Sequence, residues 1–286
     1  MISPRLAIHL LAPALLVSTV AASAAAQDST DEQLRAALDT RDVVAQGRAL
    51  THLAWDQNDN HELSFRAREA LVAFGGQGLQ PIAEALDWAP PELSADIMLA
   101  LVEAEKRMTF GTSPYTTVAM DQALWDGSPD AKRVAMRHLS RRPVGLMLLS
   151  VIDAAYEYPQ LSSVVIETLV AMADDRARFF LAEQVEQGDP RIRRQGVEAM
   201  ATIGGQCLQY LRAWALSDQP ELRANALQAL LPTTTVGDLS TLYEYFAMFP
   251  DDDPDLLAAL RSRAEILEEL FETQQAIDSA SPPLDD

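Results

Sequence analysis

Prolines return in this chain at a nearly constant interval, and that interval constrains the fold more than any other feature. Pro129, Pro159, Pro190, Pro220 and Pro250 follow one another at steps of about 30 residues, an interval in the range of helical repeat units. Pro91 precedes Pro129 by a somewhat longer step, and His61 precedes Pro91 by the usual one. The same chemistry travels with each step. Three positions beyond the mark stand Lys132, Arg193 and Arg223; six beyond, Ala135, Val165, Gly196 and Ala226; seven beyond, Met136, Ile166, Val197 and Leu227. Ten beyond stand Leu101, Leu139, Leu169, Met200, Leu230 and Leu260. Offsets of six, seven and ten share one helical stripe, with small residues where another helix must approach closely. Proline belongs in the first turn of a helix, where its missing N–H would have no partner, and Ser128, Asp189 or the aspartates at 251–253 can cap that start.

A short phrase also recurs, GGQGLQ at Gly75–Gln80 and GGQCLQ at Gly204–Gln209. Laying residues 62–86 over 191–215 matches Leu71 with Met200, Phe74 with Ile203, Leu79 with Leu208 and Ile82 with Leu211. Both stretches read as helix, glycine turn, helix, the glycines permitting positive backbone angles. A phosphate-cradling loop would need a preceding strand and a following Lys-Ser or Lys-Thr, and neither is present.

A period near 30 that holds two helices is the signature of a helical solenoid. The stretch DPRIRRQGVEAMATIGGQCLQYL, residues 189–211, resembles the short HEAT-like repeat of bilin-lyase-type and other bacterial HEAT proteins. The resemblance lies in the Asp-Pro start, Arg at +3, a small residue at +6 and Leu or Met at +10, and extends over residues 60–275. It implies an all-α chain, a right-handed α-solenoid of antiparallel helix pairs with about seven repeats, at 61–90, 91–128, 129–158, 159–189, 190–219, 220–249 and 250–277. Residues 27–60 are then an N-terminal cap, with a helical pair over Thr30–Trp55, and 278–286 a disordered acidic tail. Ala and Leu dominate while aromatics are only 6%, which suits packed helices better than sheets.

The segment 1–26 reads as a cleavable signal peptide: Arg5, an apolar core from Leu6 to Val20 broken by Pro13, and small residues up to Ala26. The expected location is periplasmic or secreted. That apolar core is shorter than the roughly 18–20 residues that span a bilayer, and no later stretch is long enough, so no membrane span is expected. A single cysteine, Cys207, excludes an internal disulfide and a Cys-based zinc site, and reads as a small buried residue. A formal charge of −20 repels phosphate backbones and makes nucleic acid a poor partner.

Asp56, Asn58 and Asn60 have the alternate spacing of a calcium loop, but His61 replaces the turn glycine and Ala67 the bidentate glutamate. The stretch reads as a polar turn capping the helix that follows, with calcium or metal handling through residues 56–62 left as a third alternative, and no cofactor is expected. A basic cluster at Lys132, Arg133, Arg137, His138, Arg141 and Arg142 places 133, 137 and 141 on one helical face able to grip an anion, with pairing to the abundant Glu and Asp of adjoining repeats equally open. The +3 cations read as a ladder to acidic turn residues of the neighbouring repeat, and Asp251–Asp255 as helix-start chemistry. The extra length of the second repeat falls within 106–125 and predicts a loop carrying Phe110 and Tyr115. No nucleophile elbow, zinc-binding His pair or nucleotide loop is present. The expectation is a non-enzymatic exported scaffold that binds a protein or peptide, basic if charge steers it, through a concave face lined by second helices. Trp88, Phe110, Tyr115, Trp125, Arg137 and Arg141 are its candidate contacts. The alternative implied by the resemblance is a lyase-like enzyme or an enzyme accessory subunit.

Overall fold

A computed structural model describes residues 30–39, 42–55, 60–108 and 113–280. The leader at 1–26, Asp56, Asn58, Phe110 and the stretch 281–286 lie outside the described residues.

Fifteen α-helices make up the described chain, with no strand among the described residues. They are α1 (30–38), α2 (Val43–Trp55), α3 (His61–Ala73), α4 (Leu79–Glu84), α5 (Ser94–Lys106), α6 (Pro114–Asp126), α7 (Pro129–Leu139) and α8 (Leu148–Glu157). There follow α9 (Ser162–Met172), α10 (Arg178–Gln187), α11 (Pro190–Ile203), α12 (Cys207–Ala215), α13 (Pro220–Leu230), α14 (Leu239–Met248) and α15 (Pro254–Ala280). The chain divides into two compact units, one up to Ala135 and one from Met136.

The proline marks become helix starts. Pro129, Pro190 and Pro220 open α7, α11 and α13, while Pro91 and Pro159 open 3₁₀ turns that run straight into α5 and α9. The Ser128 hydroxyl accepts from the Ala131 N–H at 3.3 Å, and the Asp189 carboxylate accepts from the Arg191 and Ile192 N–H groups, each at 2.9 Å, satisfying donors that a helix start leaves open. The stripe positions form the core: Leu101, Leu139, Leu169, Met200, Leu230 and Leu260 are all buried, as are Ala135, Val165 and Ala226.

In the first unit the helices alternate between two layers. α3 packs on α5, α2 and α4 pack together and α4 on α6, and consecutive helices close the gap between the layers. The second unit repeats the arrangement, with α9, α11 and α13 in one layer and α12 and α14 in the other. The residue at +6 sets how closely two helices approach. A Cβ on Gly196 would lie 2.6 Å from the Val185 Cγ2 of α10.

Four sequence expectations are corrected here. Pro250 does not open a helix; Asp253 caps instead, accepting from the Asp255 and Leu256 N–H groups at 3.0 and 2.9 Å, and Pro254 takes the first position. The segment from 250 is not a helix pair but one helix of 27 residues, running to Ala280 and past the expected start of the tail at 278. The extra length of the second repeat does not all enlarge a loop. It extends α6 to 13 residues, against 10 in α8 and α10, and puts Tyr115 inside its first turn. Arg141 lies beyond α7, its N–H donating to the His138 carbonyl, so it does not continue the face of Arg133 and Arg137.

The repeated phrase folds in two ways. In the first copy Gly75 alone has positive φ, at 55°, and a 3₁₀ turn leads to buried Leu79. In the second, Gly204 and Gly205 both do, at 71° and 53°, and Cys207 is the buried residue while Leu208 is half-buried.

Candidate interaction surface

Second helices carry the exposed apolar residues that recur with the repeat. Along α6 the outward positions are Tyr115, Val118, Gln122 and Trp125; one repeat later they are Leu146, Leu149, Asp153 and Tyr156, in α8 and the turn that opens it. At the next step, Phe179 and Glu183 of α10 follow Leu149 and Asp153. Leu146 is 95% exposed, Leu149 69%, Val118 68% and Phe179 64%, while Tyr115, Trp125 and Tyr156 are each about half exposed. Scattered exposed leucines need no explanation, but large apolar residues exposed at one period do.

In the first unit, α6 is held at both of its ends. Glu105, wholly buried on α5, accepts the Ser113 N–H at 2.8 Å, and the Ser113 hydroxyl accepts the Tyr115 N–H at 3.2 Å, so the start of α6 is fixed from inside. At the other end of α6, buried Lys132 donates to the carbonyls of Leu124 and, at 2.9 Å, of Trp125. Trp88, 41% exposed, stacks on His52 with ring centroids 4.6 Å apart.

In the second unit α8 and α10 are tied side by side. The Tyr156 hydroxyl donates to Glu183 Oε2 at 2.6 Å, and its ring meets Phe180 edge-on at 5.6 Å. The hydrogen bond to the Glu183 carboxylate, with burial and the charges of Glu183 and Asp153, pushes the Tyr156 phenol up to about 12, so it remains a donor. The Arg178 guanidinium lies over the Phe179 ring at 4.5 Å. Arg137 and Arg141 are exposed in this unit, Arg137 near the end of α7.

The +3 cations do two things. Each reaches back to the end of the preceding second helix: Lys132 as above, Arg193 to the Val185 carbonyl at 3.1 Å, and Arg223 to the Ser217 carbonyl at 2.6 Å. Two also reach forward to an acid, Arg193 to Glu221 at 3.8 Å and Arg223 to Asp252 at 2.8 Å. The expected ladder is present at those two.

A groove of about 690 Å³ lies on the other layer of the first unit, between α3 and α5, walled by Phe65, Val72 and Leu99. Arg68 and Asp96 bridge it at 3.1 Å. No group of three or more His, Cys, Asp or Glu able to hold a metal ion occurs among the described residues. Asn60, the described member of the calcium-like spacing, caps α3 by accepting the Leu63 N–H at 3.1 Å. Cys207 is buried, and burial followed by the charge of Asp175 pushes its thiol up, away from thiolate chemistry.

Three of the aromatics singled out from sequence, Trp88, Tyr115 and Trp125, are thus exposed in the first unit. Leu146, Leu149, Tyr156 and Phe179 were missed, because the period sets their spacing but not the face on which they stand. No family model matches the chain, and no curated protein matches it.

Proposed function

We propose that the chain is an exported, non-enzymatic scaffold of HEAT-like repeats, wound as a right-handed α-solenoid, that binds a protein or peptide across its second helices on a concave face. Six helix pairs and a terminal long helix would replace the seven pairs expected from sequence. The observation that carries the reading is the recurrence of exposed apolar residues at 118, 149 and 179 and at 125 and 156, in step with the buried positions. Within the second unit, Leu149 and Phe179 offer one anchor per repeat to an elongated partner.

The test is affinity capture from periplasmic extract on the chain from Gln27, beside a variant with Trp125→Ser and Tyr156→Ser. A partner retained by the first and lost from the second, with unchanged circular dichroism, supports the reading. A partner held equally by both, or a small molecule or metal eluting in place of a protein, sinks it.

A further inference from the structure

The second-helix face of α8 and α10 is not only apolar. Asp153 sits between Leu149 and Tyr156 on the outward side of α8, and Glu183 occupies the equivalent place on α10, beyond Phe179. On these two helices an apolar and an acidic position therefore stand side by side, Leu149 with Asp153 and Phe179 with Glu183. Asp153 is exposed and makes no ion pair among the described residues. At the start of α10, Arg176 is paired with Asp174 and Arg178 lies on the Phe179 ring. Neighbouring packed helices are spaced roughly 8–10 Å apart, and one heptad of an α-helix rises about 10.5 Å. One heptad of a bound helix therefore advances by about one repeat.

Resting on the scaffold reading, we propose that this face of the second unit takes a cationic amphipathic helix, its apolar residues on Leu149, Phe179 and Tyr156 and its Lys or Arg side chains on Asp153 and Glu183. The acids supply what a plain apolar ridge lacks, a reason to prefer one sign of partner. A partner of the same apolar pattern bearing glutamates would set like charges against these acids.

The experiment uses the chain from Gln27 and two labelled three-heptad helical peptides with identical leucine positions, one carrying lysines and one glutamates, followed by fluorescence anisotropy at low and high salt. The lysine peptide binds and the glutamate peptide does not. Asp153→Asn with Glu183→Gln, which keeps an acceptor for Tyr156, weakens the lysine peptide about tenfold at low salt, and the gap narrows at high salt. Equal binding by this variant and the unaltered chain overturns the proposal, since the attraction then comes from the overall acidity. If Leu149→Ser with Phe179→Ser still abolishes binding in that case, the scaffold reading survives. If the Leu149 and Phe179 variant binds as the unaltered chain does, the face is not the docking surface and both fall. Binding of neither peptide also overturns the proposal, while the capture experiment continues to decide the scaffold reading.

Discussion

The guanidinium of Arg223 donates to the carboxylate of Asp252 at 2.8 Å, joining the first turn of α13 to the turn before α15. Asp252 also accepts from the Tyr245 hydroxyl at 3.1 Å, and the guanidinium lies 3.8 Å from the Phe249 ring centroid. Arg223 is 5% exposed, so removing it leaves Asp252 and the Ser217 carbonyl without their cation. Arg223→Ala should destabilise the chain by about 3 kcal/mol, a fall of roughly 6–12 °C in Tm. Arg223→Lys should recover little, because one ammonium cannot serve both acceptors in the guanidinium's geometry. Thermal melts followed by circular dichroism decide it.

Acid should weaken the second unit before the helices themselves melt. The Arg223 hydrogen bond holds the Asp252 carboxyl below its usual value, and at Asp238 burial works upward but is outweighed by hydrogen bonds from Arg212 and from the Thr235 N–H and hydroxyl. A carboxyl lowered in the fold stabilises at all pH values above its unfolded value, about 3.9, and loses that contribution as pH falls through the folded value. The Tm difference between the unaltered chain and Asp252→Asn should be flat from pH 7 to about pH 5 and shrink below about pH 4. A difference that grows on acidification contradicts the assignment.

The two copies of the repeated phrase should not be interchangeable. A Cβ on Gly78 would lie 2.5 Å from the Leu71 carbonyl oxygen and 3.3 Å from the Phe74 Cβ, whereas Cys207 is accommodated in full burial. Gly78→Cys, which makes the first copy match the second, should destabilise by about 1–3 kcal/mol. Cys207→Ala should remain under about 1.5 kcal/mol, and urea denaturation measures both.

Cys207 should be chemically silent in the folded chain. With its side chain buried and its thiol pushed up, it should react with a disulfide reagent at pH 8 only as fast as the second unit opens, and at once in denaturant. Rapid reaction of the native chain contradicts the burial.

The proline interval made most of the fold legible because it marks a local requirement, a helix start with no N–H to satisfy, which neighbouring repeats meet alike. It misled at Pro250, where a second proline at 254 and a better cap at Asp253 moved the start. The stretch after Pro254 has no glycine or proline to stop it before Ala280, so a single helix continues where a pair was expected. Much of the candidate surface was hidden for a different reason. Leu149 and Val151 look alike in sequence, yet one faces water and the other is buried, and only packing distinguishes them. The grip of Lys132 on the Leu124 and Trp125 carbonyls could not be read from the sequence, because backbone acceptors carry no sequence mark.

The backward reach of Lys132, Arg193 and Arg223 gives the molecule a direction. Each closes the end of a helix that the chain has already passed, so α6, α10 and α12 are finished only when the next first helix arrives. Shortening the chain from its beginning leaves every remaining closure intact, whereas cutting just before Pro190 or Pro220 strands the final helix with open carbonyls. During synthesis α6, α10 and α12 therefore stay open-ended until the helix after each has emerged.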